Sequence, residues 1–568
     1  MPFQPLPGAE NRTEFLPSAD GGVNSRAVAW NLENNQYAEG YNISIEQQGV
    51  WKRRRGAASL GGLEARPGGQ TWHTDTDGDT ILWGAWGNAI YRSTGGGAWN
   101  EKASGVSLLP NVLHQFVEGI YLDSNYLANQ YRAIYGCQCV PSSQTTETSR
   151  LFVFRGDDVS AVAQATQQES YAPQCLAYFQ GRLWKGNDQL DGDGNDLSWS
   201  ELDDGLTFSP ANQLSIEPGV GGKVTAIFPV RGTSPRLVVF KESAVAILNP
   251  RWGSSSALIP GAGDELDTLT SSIQLVTDQI GCVATKSLTT APSFGAGDVL
   301  FLARDGVRSL SRAADDTLSG VGPRITEQIP AWIARINWQA AHKAVATVYD
   351  NAYHLAIAMD GSAENNFVLR MELTTGAWSL HTWDARDMVA APITGEERFL
   401  FQNNTGFTEE SSVTGLPSSQ IFNMYRGYSS DTDPGASYVP YELVTKAFVF
   451  QNPKVEKRFD RLMFLGTVDA SETHHMRIAY RVDFKNWETL ATEVVFGVPG
   501  TEITLGTTPL TWEPPTQKMI QRRVGLQNVN SGTMIQVRFS GSRDEAQPQI
   551  YYADVEADHQ QQLFDNED

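Results

Sequence analysis

Short apolar runs, separated by two or three turn-forming residues, recur along most of this 568-residue chain. The run at 237–240 is followed by Lys-Glu-Ser and a second run at 244–248, and the run at 299–303 is followed by Arg-Asp-Gly and a second run at 307–310. This pattern is typical of β-hairpins. Asp305-Gly306 is the strongest turn signal, because a tight hairpin turn needs positive φ, which glycine adopts without steric cost.

The hairpins repeat at a nearly regular interval. The anchors Leu183, Leu237, Val299, Tyr349 and Phe399 are separated by 54, 62, 50 and 50 residues. Propeller repeats span ~40–50 residues per blade. The spacing therefore predicts a mainly β fold, a β-propeller with decorated loops and few short helices.

Three repeats end in a small polar turn and an aromatic residue, at 95–99, 203–208 and 372–378. Such a turn suits a blade corner, where the ring covers the gap to the next sheet. Glycine and tryptophan are also common enough here to coincide by chance, and that alternative stays open. Residues 201–208 further resemble the Asp-box turn of sialidase-type propellers, which is a structural corner far from catalysis.

The composition and the hydrophobic pattern of the sequence change after about residue 401. Residues 403–437 are rich in Ser, Thr, Gly, Asn and Asp, which favours a linker. Beyond it the strands alternate strictly: one face carries Met476, Ile478, Tyr480, Val482 and Phe484, and the pattern recurs in Ile535, Val537 and Phe539. A half-buried antiparallel sheet of this kind predicts a β-sandwich-like domain.

These patterns divide the chain into five parts. We expect an N-terminal arm and strand at 1–60, a β-propeller-like domain at 61–402, a loop-rich linker at 403–437, a β-sandwich-like domain at 438–557 and an acidic tail at 558–568. Helical signals are sparse. A helix is predicted within 325–346, where Pro330 can begin it, and a second short one around 267–278.

The net charge of −22 argues against a free-standing nucleic-acid binder, which needs a basic footprint. The amino-terminal residues lack the basic segment and the apolar segment that an export signal needs. The sequence also contains no run of the ~18 apolar residues that would predict a membrane span. We therefore expect a product that stays in, or assembles in, the cytoplasm. The cysteines Cys137, Cys139, Cys175 and Cys282 are predicted to be buried thiols without a metal role.

Few residues suggest chemistry. Two aspartate ladders space oxygen atoms as Ca²⁺ loops do: Asp75, Asp77 and Asp79, and Asp191, Asp193, Asn195 and Asp196. Neither completes an EF-hand, and we favour hairpin tips in which Asp and Gly supply turn geometry. Carboxylates are too numerous for the sequence to single out a glycosidase pair. We therefore predict no catalytic, cofactor-binding or metal residues and no enzyme activity.

Lys52, Arg53, Arg54 and Arg55 form the one basic run. They are predicted either to contact an acidic patch on a neighbouring copy or to be a solvated strand end. The first alternative implies that replacing the three arginines with serine weakens assembly most at low salt.

Several short sequence motifs occur in one order along the chain. They are Gly21–Arg26 and Gly49–Gly56 near the start, residues 179–184, 197–204, 280–284 and 299–309 in the middle, and Gly376, Ala377 and Trp378 before the alternating strands. This order resembles the β-propeller tail proteins of short-tailed bacteriophages, the tail-nozzle group (tail tubular protein B-like, DNA-stabilisation hub).

The resemblance implies a structural virion protein in the phage tail. Such proteins form a ring of copies of themselves, commonly six, that continues and gates the conduit for DNA ejection. The implied partners are a tail adaptor or portal-proximal protein, tail fibre or needle proteins, and DNA that passes without specific binding. The alternative is a glycan-binding or glycan-cleaving β-propeller used in host-surface recognition, in which tryptophans would line sugar pockets.

Overall fold

A computed structural model describes most of the chain. The described residues are 12–16, 18–45, 49–54, 57–62, 67–75, 77–94, 99–104, 108–109, 112–122, 130–139, 150–155, 163–164, 166–168, 170–190, 194–230, 235–252, 272–294, 298–312, 318–393, 395–403, 420–424, 439–450, 454, 456–469, 474–496, 517–526, 531–541 and 549–559.

Six strands precede the first repeat. They are β1 Arg12–Leu16, β2 Gly22–Val23, β3 Gln36–Tyr41, β4 Ile43–Ile45, β5 Trp51–Arg53 and β6 Ala57–Gly62, with a 3-10 helix at Ala29–Asn31.

The next strands form four antiparallel sheets in chain order, which we call blades 1 to 4. Blade 1 contains β7 Pro67–Thr74, β8 Thr80–Trp86, β9 Ala89–Thr94 and β10 Asn100–Ser104, and blade 2 contains β11 His114–Leu122, β12 Gln130–Gln138, β13 Leu151–Arg155 and β15 Thr166–Gln168. The short β14 Ala163–Gln164 pairs in parallel with β10. Blade 3 contains β16 Cys175–Phe179, β17 Arg182–Gly186, β18 Asp196–Trp199 and β19 Gln213–Ser215, and blade 4 contains β20 Val224–Val230, β21 Arg236–Lys241, β22 Val245–Asn249 and β23 Ser272–Thr277.

Three more blades follow. Blade 5 contains β24 Thr289–Thr290, β25 Val299–Ala303, β26 Gly306–Arg312 and β27 Leu318–Arg324, and blade 6 contains β28 Val345–Tyr349, β29 Ala352–Ile357, β30 Phe367–Glu372 and β31 Trp378–His381. Blade 7 contains β32 Asp387–Ile393, β33 Glu396–Gln402 and β34 Gln420–Met424. Its fourth strand is β6, which pairs antiparallel with β34.

The seven blades of the described residues close into a ring. The innermost strands β7, β11, β16 and β20 contact one another in turn, the 3-10 helix Thr285–Ser287 links β20 to blade 5, and β28 and β32 lead back to β7. The predicted β-propeller is confirmed, and pairing of β6 with β34 joins its beginning to its end. Closure of this kind leaves few strand edges exposed.

The central strands read as unbroken apolar runs because both of their faces are buried. In β21, Leu237 and Val239 pack with Trp184 in the core between blades 3 and 4, whereas Val238 and Phe240 pack with residues of blade 5. Successive side chains of a strand point to opposite faces, so a strand between two blades needs apolar residues at every position.

The predicted β-sandwich is also confirmed. Its strands are β35 Tyr441–Thr445, β36 Lys457–Asp469, β37 His474–Val482, β38 Glu488–Phe496, β39 Gln517–Gly525, β40 Ile535–Gly541 and β41 Gln549–His559. One sheet has the order β39-β36-β41-β5-β4, with β1 beside β41, and the other runs β3-β35-β40-β37-β38. The second sheet continues through β31 into blade 6, giving one ten-stranded sheet.

The predicted helices are shorter than expected or absent. Within 325–346 the structure has a 3-10 helix at Ile325–Gln328, a single turn α1 at Pro330–Ile333 and a 3-10 helix at Ala341–Lys343. A bridge between Ile336 and Met359 interrupts the helical path, since it ties the segment to blade 6. The second predicted helix is wrong where it is described, because Ser272–Thr277 is the outer strand of blade 4.

Three segments expected to be peripheral contribute residues to the sheets. Of the described strands that begin within 1–60, β1 to β5 pair within the two sandwich sheets and β6 pairs with β34 in blade 7, so they do not form an arm. The range 403–437, expected to be a linker, contributes β34 to blade 7, and its other residues from 404 to 419 and 425 to 437 lie outside the described part. The first two residues of the expected tail, Asp558 and His559, end β41; residues 560–568 lie outside the described part.

Two residues of the basic run are not at the surface. Arg53 and Arg54 have 0% exposure, and Arg54 Nε donates to Asn42 Oδ1 at 2.9 Å. This corrects both expectations for these two residues, the contact with a neighbouring copy and the solvated strand end. The sequence around the run gave no sign of this burial, because strands that pair with this part of the sheet lie hundreds of residues away in the chain. Arg55 lies outside the described residues.

Candidate functional site

Innermost strands from several blades begin at the same end of the propeller axis. At this end Asp387, the first residue of β32, accepts a hydrogen bond from the backbone N–H of Gln70 in β7 at 2.6 Å. Gln70 Nε2 in turn donates to the carbonyl oxygens of Asp387 and Leu400. Blades 1 and 7 are thus joined by polar contacts where their inner strands start.

Lys286 crosses the axis at this end. It lies in the 3-10 helix before blade 5, and its Nζ is 2.5 Å from Asp387 Oδ2 in blade 7 and 3.3 Å from the carbonyl oxygen of His114 in blade 2. Neither blade 2 nor blade 7 is adjacent to blade 5, so the side chain must span the ring. The Asp387 side chain is 1% exposed and that of Lys286 15%, which makes this a largely buried ion pair.

His114 completes what we call the axial cluster: Gln70, His114, Lys286 and Asp387. Its Nδ1 lies 3.2 Å from the carbonyl oxygen of Gly68, so this nitrogen carries the proton and donates. Burial lowers the pKa of His114 to about 4, and the nearby cations Arg386 and Lys286 also lower it. The imidazole is therefore neutral at physiological pH.

The chemistry open to the axial cluster is limited by its ion pair. Asp387 Oδ1 is buried without a hydrogen-bond partner, while Oδ2 is compensated by Lys286 and Gln70. Glycoside hydrolysis by the usual route needs two carboxyl groups with different protonation states. Among the described residues that hydrogen-bond within this cluster, Asp387 is the one carboxylate, so the cluster does not supply such a pair.

All four cysteines are buried, as predicted. Burial raises the pKa of Cys137, of Cys175 and, to about 11, of Cys282. A thiol with a raised pKa is a poor nucleophile and metal ligand. Within the described residues, no group of three His, Cys, Asp or Glu side chains is placed to hold a metal ion.

The first aspartate ladder has the geometry of a turn. Asp75 Oδ1 accepts from the backbone N–H groups of Asp77 and Asp79, at the tip that joins β7 to β8. This oxygen fixes backbone conformation, as we favoured from the sequence. Asp191 and Asp193 of the second ladder lie outside the described residues, whereas Asp196 begins β18.

The three predicted corners occupy equivalent places. Each connects the third and fourth strands of its blade, at β9–β10, β18–β19 and β30–β31. In the Asp-box-like turn, Asp204 Oδ1 accepts from Leu206 N at 3.2 Å and Tyr178 donates to Asp203 Oδ1. A Cβ at Gly205 would lie 2.4 Å from the Tyr135 ring, so this close approach requires glycine.

A second notable region lies on the sandwich, and sequence analysis did not find it. We call Trp30, Arg481, Phe484, Trp487 and Arg538 the aromatic surface. Trp30 and Phe484 are 41% and 39% exposed, with ring centroids 5.5 Å apart. The Arg481 guanidinium lies 5.3 Å from the Phe484 ring and 4.6 Å from the Trp487 ring, and Arg538 lies 4.7 Å from Trp487.

Phe484 is held outward by a strained turn. The predicted alternation holds through Val482, but β37 ends there, and Asp483 and Phe484 adopt φ values of 50° and 56°. This left-handed conformation is unusual for an aromatic residue. Asp483 Oδ1 fixes it by accepting hydrogen bonds from Thr533 and Met534. Placing Phe484 on the core face was therefore wrong.

Comparison with known proteins gives similarity at the level of the fold. No protein-family model matches the chain, and no curated protein sequence matches it. Among solved structures, virginiamycin B lyase from Staphylococcus aureus is 11% identical with a TM-score of 0.34, covering 65% of this chain and 97% of its own. An ancestral GH74 enzyme is 9% identical with a TM-score of 0.34, covering 70% of this chain and 52% of its own. An exo-β-1,3-galactanase from Phanerochaete chrysosporium is 9% identical with a TM-score of 0.27, covering 89% of this chain and 100% of its own.

These neighbours correct one expectation. We predicted that the chain has no enzyme activity, and this is contradicted because glycoside hydrolases recur among the similar structures. The expectation is withdrawn. Identities of 8% to 11% and TM-scores of 0.25 to 0.34 assign no particular reaction to the residues described above.

In the described part of the chain, no helix combines the length and the apolar character needed to cross a bilayer.

Proposed function

We propose that this chain is a glycan-binding β-propeller protein and that a saccharide docks on the aromatic surface of its sandwich domain. The observation that carries the proposal is the exposed pair of Trp30 and Phe484, of which Phe484 is fixed by a strained turn. Strain at a fixed side chain is kept where the surrounding structure determines it and is often part of a function. Large aromatic rings beside water are suited to ligands with both apolar and polar faces.

The surface offers both contacts that a sugar needs. The C–H face of a pyranose can pack on the Trp30 and Phe484 rings. Arg481 Nε donates to Gln536 Oε1, and its terminal nitrogens make no hydrogen bond within the described part of the chain, so they are available to sugar hydroxyl groups. Arg538 lies 3.6 Å from Glu442 and is therefore charge-compensated. With this pairing and a net charge of −22, the surface favours a neutral saccharide over an anionic one.

Binding and turnover are separable by experiment. The purified protein is titrated calorimetrically with neutral and acidic oligosaccharides, and reducing ends are measured after incubation. We expect binding of a neutral saccharide by the native protein and its loss in Trp30→Ala and Phe484→Ala. Trp338→Ala is the matched control, because Trp338 is 37% exposed outside this surface. Absence of binding, equal loss in the control, or binding of acidic saccharides alone contradicts the proposal.

A second candidate function is a structural role in the tail of a short-tailed bacteriophage. It is supported by the order of the motifs from Gly21 to Trp378 and by the ten-stranded sheet that joins propeller and sandwich, which suits a rigid building block. Lys286 connects blade 2 and blade 7 inside the propeller through His114 and Asp387, so the DNA conduit of this proposal lies between copies of the chain. Negative-stain imaging of the purified protein should then show rings with a central channel. A monomer at all concentrations would contradict it.

A further inference from the structure

A group of buried cationic and polar side chains lies where blade 6 meets β4, the edge strand of a sandwich sheet. Arg370 of β30 is directly opposite His354 of β29 and Ser379 of β31, so the three side chains share one face. His381, two residues after Ser379, lies on the same face. His354, Ser379 and His381 are fully buried, and Arg370 is 6% exposed.

Two of these side chains hold the sandwich edge. Arg370 Nη1 donates to the carbonyl oxygen of Ile45 at 3.0 Å, and His381 Nε2 donates to that of Ile43 at 3.0 Å. These carbonyls belong to the last strand of their sheet, whose outer edge has no strand partner in the described residues. These contacts give one nitrogen of each side chain a hydrogen-bond acceptor, and the other polar atoms of the group need partners of their own.

The remaining polar atoms lack hydrogen-bond partners. Arg370 Nε and Ser379 Oγ are buried donors without a hydrogen-bond partner, and His381 Nδ1 is also unpartnered. Leaving one such donor unsatisfied costs roughly 1–3 kcal/mol, and more for a charged group. Arg370 and Ser379 are neighbours across the ladder, where facing side chains are ~5 Å apart, so one acceptor group can serve both.

The electrostatic field at this junction is positive. Burial is the main cause that lowers the pKa of His381, and Arg54, Arg370 and His354 lower it further. The same holds for His354, whose pKa is lowered by burial and by Arg370. The charged side chains that act on these two rings are the guanidinium groups of Arg54 and Arg370, which favours an anionic ligand.

We propose that a small oxyanion of the phosphate or sulfate class binds at this junction, with oxygen atoms accepting from Arg370 Nε and Ser379 Oγ. In the occupied site His381 is protonated and donates its Nδ1–H to the same anion. The anion adds the missing acceptors and a counter-charge, and in this way fixes the propeller to the sandwich edge. The site is distinct from the aromatic surface and independent of glycan binding.

The bound ion can be measured directly. The full-length protein is exchanged into chloride buffer and denatured, and the released phosphate and sulfate are separated by ion chromatography, which tells the two apart. We expect an equimolar amount of one of them from the native protein and its loss from Ser379→Ala and Arg370→Gln. Ser287→Ala is the control, since Ser287 is equally buried but already donates to the carbonyl oxygen of Ala284 at 2.7 Å.

A refolding experiment completes the test. Protein refolded in phosphate or sulfate should melt at a higher temperature than protein refolded in chloride of equal ionic strength, and Ser379→Ala should lose this difference. If Arg370→Gln does not fold, Ser379→Ala decides. The proposal is overturned if the native protein releases neither anion and its melting temperature is the same after refolding in all three salts, because the junction then holds water.

Discussion

The Nζ atom of Lys286 lies 2.5 Å from Asp387 Oδ2, although the two residues belong to blades that are not neighbours in the ring. The pair is the link between opposite sides of the axial cluster. Its carboxylate is almost completely removed from solvent, so its charge depends on the ammonium group beside it.

Removing one partner of this ion pair should therefore lower the stability of the protein. We expect Lys286→Met to lower the free energy of unfolding by about 3–5 kcal/mol, because it leaves a buried carboxylate without its cation. Arg335→Met is the matched control: Arg335 pairs with Asp360 at 2.7 Å, but both side chains are exposed, and such pairs contribute about 0–1 kcal/mol. Equal losses in urea unfolding would show that the axial pair is not essential.

The Asp305-Gly306 turn gives a test of close packing. Gly306 has φ of +131°, and a Cβ there would lie 2.1 Å from Thr326 Oγ1, which accepts from Val307 N. Gly306→Ala should destabilise the protein by roughly 2 kcal/mol more than Gly320→Ala. Gly320 is a suitable control, since it lies in the same blade with φ of +144° and open space around it. Chemical denaturation of the two variants decides.

The neutral state of His114 predicts a dependence of stability on pH. Its pKa is about 4 in the folded protein and near 6.5 in the unfolded chain, so only the unfolded chain takes up the proton between these values. Stability should fall as pH decreases from about 6.5 to about 4, by up to roughly 3 kcal/mol for this group, and level off below. His354, whose pKa is also lowered by burial, acts in the same direction.

His114→Gln isolates this contribution. In urea unfolding between pH 7 and pH 4.5, the variant should show a shallower decline in stability than the native protein, by up to one proton in the slope. An unchanged slope would mean that His114 does not remain neutral in the folded state.

Burial of the basic run predicts how its variants depend on salt. Arg54→Met should lower stability by about 2–4 kcal/mol, because it removes a buried hydrogen bond to Asn42. The loss should be nearly the same at low and high ionic strength, since salt screens buried charges weakly. Lys52→Met, at a partly exposed position of the same run, is the control and should change little. A loss that appears only at low salt would restore a role in contacts between copies.

Two tryptophans separate packing from the proposed binding role. Trp378 closes the corner of blade 6 and is fully buried, and its indole N–H donates to the carbonyl oxygen of Ile325. Trp378→Ala should cost about 3–5 kcal/mol, whereas Trp30→Ala should cost less than about 1 kcal/mol. Thermal unfolding of both variants checks this, and a stable Trp30→Ala variant makes its binding result interpretable.

The features predicted correctly from the sequence depend on nearby residues. Hairpins such as the one turned by Asp305 and Gly306, the corner at Trp378 and the alternation through Val482 are all set within about ten residues. The axial cluster could not be predicted, because Gln70 and Asp387 meet across 317 positions of sequence. Arg53 and Arg54 were misplaced for the same reason: charge suggests exposure until the distant strands that cover them are known.

Pairing of β6 with β34 has a consequence for synthesis. The two strands that seal the ring are about 360 residues apart in the chain, so β6 leaves the ribosome long before its partner exists. At typical elongation rates of ~5–20 residues per second, the delay is roughly 20–70 seconds. During that interval Ala57–Gly62 presents an unsatisfied backbone edge, and the nascent chain must depend on temporary cover until the last blade is translated.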